Sequence, residues 1–183
     1  GFRQWTLFFE DFYVGKECLI GDENGGTMAL FNSLNPERIL AAGISTGMTE
    51  YCLNRAVSYA CERKVFRDTP IGAHQAISHP LAEIKIELES ARMLARRAAW
   101  SFDQGMDPAK VGFWSNAAKM KGGDLWINAV DHTIQTLGGY GFSEEYGIIH
   151  LWEAARLLRT APVTKEMILN YTAEHVLGLP RSY

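Results

Sequence analysis

From residue 27 onward the apolar residues recur at helical spacing, whereas before it they come in aromatic and β-branched blocks. Leu30, Leu34, Leu40, Ile44, Met48, Tyr51, Arg55 and Tyr59 fall near the 3.6-residue period, which predicts a first long helix over 27–63 with Pro36 as a point for a kink. A loop through Phe66, Pro70 and Gly72 leads to a second helix over 76–102. There Leu81, Ile84, Leu88, Met93 and Leu94 are expected to face inward, with Glu83, Lys85, Glu87, Glu89 and Arg92 outward. Gly105 and Pro108 mark the next break, and further helices are predicted over 109–137, 144–158 and 164–177. Long helices joined by short loops make an all-α antiparallel bundle. Ahead of them, Trp5-Thr6-Leu7-Phe8-Phe9, Phe12-Tyr13-Val14 and Leu19-Ile20 suit one or two short strands, and residues 21–26 form a turn-rich joint. One or two strands are not stable alone, so they are expected to belong to a domain cut at residue 1.

Composition narrows the class. With 183 residues, 47% apolar and 21% charged, the chain supports one sizeable globular core. A net charge of -3 gives no general attraction to nucleic acid, and Arg96-Arg97 and Arg156 to Arg159 are too short for a basic patch. No apolar run approaches the roughly 20 residues of a membrane span. The opening Gly1-Phe2-Arg3-Gln4-Trp5 has the form of neither a signal nor a transit peptide and lacks an initiator Met, so the chain is expected to begin mid-protein. Cys52 and Cys61, nine apart on one helix, point to opposite faces and cannot share a metal there; with Cys18 they fit a reducing compartment. No metal site is expected, and His132 has no partner at ligand spacing. Trp100, Trp114, Trp126 and Trp152 read as core or subunit-interface residues.

The most telling interruption is Gln135-Thr136-Leu137-Gly138-Gly139-Tyr140-Gly141-Phe142. A helix that stops at two glycines leaves backbone N–H groups without side-chain bulk, so another backbone, a planar ring or a phosphate can approach. The same pair is also an ordinary helix stop. Taken with other segments it carries a resemblance. These segments are Phe8 to Val14, Glu37-Arg38 ahead of Ala41-Ala42-Gly43, Glu62 to Phe66 with Ile71 to Gln75, Ala117-Ala118-Lys119, Ala155-Arg156 and Thr164-Lys165-Glu166. In order and gaps the chain resembles the acyl-CoA dehydrogenases: residues 27–183 their C-terminal helical bundle, residues 1–26 the end of their middle β-domain. The resemblance implies that roughly the first half of such an enzyme lies outside this sequence.

It also implies the chemistry. A carboxylate removes the α-proton of an acyl-CoA thioester while the flavin of FAD accepts the β-hydrogen as hydride, giving a 2,3-enoyl-CoA. Many members carry the base just before the last helix, where this chain has Pro162. A smaller group, similar to isovaleryl-CoA dehydrogenase, carries it on the first long helix before an Arg, which here is Glu37 before Arg38. Pro162 also lacks the N–H that helps hold the thioester oxygen in the family, for which the Val163 N–H is a neighbouring substitute.

By the same resemblance Arg63 would pair with the FAD pyrophosphate, with Val65, Phe66, His74 and Gln75 along the dinucleotide. Arg67 stands where the family carries Gly. Gln135, Gly138 and Gly139 would meet the adenine end from a neighbouring subunit, and Thr164 and Glu166 would lie near the flavin. Asn35 and Arg38 are the expected contacts to CoA. The implied partners are an electron acceptor such as an electron-transfer flavoprotein and further copies in a homodimer or homotetramer. The implied location is the cytoplasm, or the mitochondrial matrix of a eukaryote. Two other readings stand beside this one: a non-catalytic subunit that lends FAD-binding surface to an active relative, and a flavin oxidase.

Overall fold

The computed structural model of the chain describes residues 2–181, excepting the side chains of Thr27, Met28, Phe31 and Asn32. Helix α1 spans Gly26–Glu62, and a hairpin of two short strands follows, β1 at Lys64–Val65 and β2 at Thr69–Pro70. Then come α2 (Gln75–Asp103), α3 (Pro108–Leu137), α4 (Ile149–Thr160) and α5 (Lys165–Tyr171), which passes into a π turn at Thr172–Val176. Pro36 lies inside α1 without ending it. The α3 start is set by Asp107, whose carboxylate accepts from the N–H groups of Ala109 and Lys110 ahead of Pro108 at the first helical position. Helix α4 begins five residues later than its apolar spacing predicts. Gly147, at φ +64°, holds residues 143–147 in a turn closed by its own N–H on the Ser143 carbonyl.

The aromatic segment before α1 departs from the expected strands. Residues 5–20 pair with nothing in the described chain, and residues 2–14 are exposed throughout. A strand exists only by exchanging hydrogen bonds with a neighbour, and none of the described elements supplies one.

Helix α3 is the axis of the bundle and packs against α1, α2, α4 and α5. The larger core cluster joins Cys52, Leu53, Ala56 and Ala60 of α1 to Ile84 and Leu88 of α2 and to Leu125, Trp126, Ala129 and Val130 of α3. A smaller cluster brings Ala42, Ala98 and Ala118 together under Trp114. Trp100 and Trp152 are exposed.

The inward face of α1 is not the one its large residues suggest. Leu30, Leu40, Ile44 and Tyr51 are exposed, while Ala41, Ala42, Ser45, Thr46, Thr49 and Ala56 are buried. Close backbone approach explains the inversion, because a Cβ on Gly122 would lie 3.2 Å from the Ser45 Cβ. Small residues fill the space that larger ones would force open. In α2, Met93 is 66% exposed rather than inward, because it sits two residues, about 200° of turn, from buried Ala91.

Gly123 makes the corresponding close contact on the α4 side, where an added Cβ would sit 2.9 Å from the Leu158 carbonyl oxygen. Gly123→Ala is therefore expected to destabilise the bundle by about 1–3 kcal/mol through overpacking, despite alanine's better helix propensity. Urea denaturation of the two proteins checks this; a stabilised G123A would contradict the backbone contact.

Candidate functional site

The first grouping forms where α1 ends. Arg63 caps α1, its N–H on the Tyr59 carbonyl at 2.8 Å, and its side chain is exposed. The chain then reverses through the β1–β2 hairpin, in which Lys64 pairs with Pro70 and Val65 with Thr69. The turn holds three non-glycine residues at positive φ: Phe66 at 43°, Arg67 at 66° and Asp68 at 68°. Arg67 thus keeps the backbone shape that glycine favours, a conformation costing on the order of 1 kcal/mol for a residue with a Cβ. The turn holds Phe66 in solvent, its ring edge-on to His74 at 6.2 Å. His74 is the capping position of α2 and Gln75 its exposed first residue.

Opposite lies the end of α3. Gly138 terminates the helix at φ +60°, with its N–H on the carbonyls of Gln135 and Ile134. Gly141 has an internal reason to be glycine, since a Cβ there would come within 2.8 Å of the Ile134 backbone. Gly139 does not: its φ is not positive, and an added Cβ would meet nothing within 4 Å. Arg63, Ile71, Gly138, Gly139 and Tyr140 line one open cleft of about 550 Å³. Arg63, expected at the pyrophosphate, and the glycine pair, expected to meet the adenine end from a neighbouring subunit, thus lie side by side in one chain. Gln135 is exposed on the last turn of α3.

The second grouping lies on α1. Glu37 is exposed and, among the described residues, makes no ion pair. Arg38 is 6% exposed and points into the bundle. Its guanidinium donates to the Leu34 carbonyl at 2.9 Å, to Asn35 Oδ1 at 2.7 Å and to Asn116 Oδ1 at 2.5 Å. Burial lowers its pKa, with Tyr171 and Glu37 acting in the opposite direction. Asn35 in turn donates to the Pro108 carbonyl. Asn116 and Tyr171 of this cluster are not picked out by the sequence, since neither stands in a recognisable motif.

The third grouping is the α4–α5 turn. Thr164 caps α5, its hydroxyl accepting from the Met167 N–H at 3.3 Å, and Glu166 is exposed in the first turn. Arg156, Thr160, Thr164, Lys165 and Glu166 line a cavity of about 300 Å³. Beneath it lies a residue whose role the sequence left unstated. Lys119 of α3 is 2% exposed, and its Nζ donates to the carbonyls of Val163 at 2.5 Å and Arg159 at 3.3 Å. A second anchor sits five residues on, where Asp124 forms an ion pair with Arg159 at 2.9 Å and accepts a hydrogen bond from Lys165 at 2.5 Å. The available signal was a lysine in the buried stripe Val111, Ser115, Ala118, Gly122 of α3.

The fold agrees with that of known proteins. Residues 24–177 match the family description "Acyl-CoA dehydrogenase, C-terminal domain". The acyl-CoA dehydrogenase FadE12 of Mycobacterium tuberculosis is 42% identical over 181 residues, 99% of this chain and 46% of that protein. The glutaryl-CoA dehydrogenase of Desulfococcus multivorans is 34% identical over 85% of the chain and 38% of its own length. The butyryl-CoA dehydrogenase structure from Megasphaera elsdenii superposes with a TM-score of 0.85 at 30% identity, over 92% of this chain and 43% of that one. The chain belongs to the acyl-CoA dehydrogenase family and has the fold of its C-terminal helical domain. It spans less than half the length of these relatives.

Burial pushes Lys119 from an ordinary 10.5 down to about 8; Asp124 and Glu166 pull it up, and Arg38 pushes it further down. Between those values the unfolded chain holds a proton that the folded chain has released, so stability rises with pH across that window. The stability of the wild type relative to Lys119→Met is expected to increase by up to about 3 kcal/mol between pH 7.5 and 10.5. Urea denaturation of both at the two pH values measures it; an unchanged difference would show that Lys119 titrates normally.

Proposed function

We propose that the chain serves in an FAD-dependent acyl-CoA dehydrogenase that converts an acyl-CoA thioester to a 2,3-enoyl-CoA, with Glu37 as the base. The observation that carries the cofactor assignment is the cleft of Arg63, Gly138 and Gly139. A guanidinium suits a pyrophosphate, and Gly139 leaves open a wall that nothing within the chain requires to be open. Phe66, Val65, His74 and Gln75 extend the same surface from the hairpin to the α2 start, and Gln135 lies on its α3 side. Bound there, FAD supplies the hydride acceptor.

The chain's own work is proton removal and positioning. Pro162 stands at the position before α5 without a carboxylate, whereas the Glu37 carboxylate is exposed and makes no ion pair among the described residues, and the α1 turn bearing it is pinned through Arg38 to Asn35 and Asn116. Arg38 is thus better placed to hold Glu37 and Asn35 in position than to meet CoA itself. Thr164 and Glu166 border the flavin side, and Asn35 the CoA side.

Residues 1–26 are read as the end of a β-domain whose other strands would cover Trp5, Phe8, Phe9 and Phe12. The exposed side of α1, with Leu40, Ile44 and Tyr51 beside open Gly43 and Gly47, supports assembly into a dimer or tetramer. An electron-transfer flavoprotein is the proposed electron acceptor, and the cytoplasm or mitochondrial matrix the proposed location. No helix among the described residues is long and apolar enough to cross a membrane.

Pro162, which has no N–H to offer a thioester oxygen, favours a second reading: a non-catalytic subunit lending FAD-binding surface to an active relative. Glu37→Gln in the intact, flavin-loaded protein separates the two. The first reading expects anaerobic flavin reduction by butyryl-, isovaleryl- or octanoyl-CoA in the wild type and about a 10³-fold slower rate in E37Q. Full retention in E37Q would remove Glu37 as base, and a wild type that holds flavin but is reduced by none of the three would favour the second reading.

A further inference from the structure

Lys119 is a buried ammonium with no carboxylate at ion-pair distance among the described residues, spent on two backbone carbonyls. These carbonyls, of Arg159 and Val163, lie on either side of the Ala161–Pro162 bond, which is cis. The charged groups around it are Asp124 on α3, Glu166 on α5 and Arg38 on α1, and Asp124 is already shared between Arg159 and Lys165. Tethering a neutral carbonyl with a buried charge is costly, and the α4–α5 turn is what that charge holds.

The Val163–Thr164 peptide is trans, so its carbonyl and the Thr164 N–H point in opposite directions. With the carbonyl turned onto the buried Nζ, the N–H faces away from α3, and among the described residues it meets no acceptor. An ammonium on the carbonyl also polarises the peptide and strengthens that N–H as a donor. Pro162, two residues earlier, has none to give.

We propose that Lys119 is a positioning residue: by holding the Val163 carbonyl it aims and polarises the Thr164 N–H as the donor to the substrate's thioester oxygen. This deepens the dehydrogenase reading and rests on it. The donor then resides in the peptide after Val163, on a turn braced from the centre of the bundle. Enolate charge developing on that oxygen would meet a donor already oriented before substrate arrives.

The test uses the intact flavin-loaded protein with butyryl-, isovaleryl- and octanoyl-CoA as probes. In Lys119→Met, flavin reduction at saturating thioester is expected to slow about 10²-fold. The dissociation constant, read from flavin perturbation, should change less than about threefold, and Lys119→Arg should recover at least about tenfold of the rate. Thr164 has φ -68°, already the value of proline. Thr164→Pro therefore removes the N–H and is compared with Thr164→Val, which loses the same hydroxyl cap but keeps the N–H. T164P should be about 10²-fold slower than T164V. Hydrogen–deuterium exchange without substrate supplies a readout independent of activity: K119M should speed exchange across 160–167 at least about tenfold while α1 and α2 stay unchanged.

Equal reduction rates in K119M and wild type, or in T164P and T164V, would overturn the proposal, as would a loss confined to the dissociation constant. If K119M does not fold, the T164P and T164V pair decides. A wild type reduced by no thioester would defeat the dehydrogenase reading, and unchanged exchange in K119M would then separately defeat the tether.

Discussion

One buried cation ties the surface chemistry of this chain to its interior. Lys119 stands on the central helix with its ammonium removed from solvent and gives its hydrogen bonds to two main-chain carbonyls, one in the last turn of α4 and one beyond its end. Through it, and through Asp124 five residues on, the α4–α5 turn is referenced to α3 rather than left to its own sequence. Helix α3 in turn is referenced to α1 by the near-contact of Gly122 with Ser45 and to α4 by that of Gly123 with Leu158. A short chain of rigid contacts therefore runs from the Glu37–Arg38 turn of α1, across Asn116 of α3, to the turn before α5.

Arg38 and Lys119 solve related problems differently. Each is a buried cation with no carboxylate at ion-pair distance among the described residues. Arg38 is satisfied by amide oxygens and one carbonyl, in a planar geometry that the guanidinium matches. Lys119 is satisfied by carbonyls alone, as a compact point charge. Both cost desolvation energy, which a site that must hold its groups within fractions of an ångström can justify.

Much of the helical architecture was legible because it is written in breakers: Gly105 and Pro108 before α3 and Gly138 after it. The facing of α1 was not, because periodicity marks large apolar residues and the buried stripe here is Ala42, Ser45, Thr49, Cys52, Ala56 and Ala60. The large residues on the other side, Leu40, Ile44 and Tyr51, are exposed. The aromatic run from Trp5 to Tyr13 has strand composition but no partner among the described residues, so pairing could not follow from propensity. Among the site residues, Arg63 and the glycine pair were legible individually, while their meeting in one cleft depends on how the ends of α1 and α3 pack. Lys119 was hidden because a lysine in a helix is ordinarily a surface residue, and only the tertiary placement of two carbonyls reveals its task.

The account turns on the cleft between Arg63 and Gly138–Gly139 holding a flavin dinucleotide that an acyl-CoA thioester reduces. An anaerobic visible-absorption titration of the intact protein with butyryl-, isovaleryl- and octanoyl-CoA tests this most directly. The account predicts an oxidised flavin band that bleaches stoichiometrically with at least one of them. A protein that carries no flavin band when purified and takes up no added FAD would contradict it.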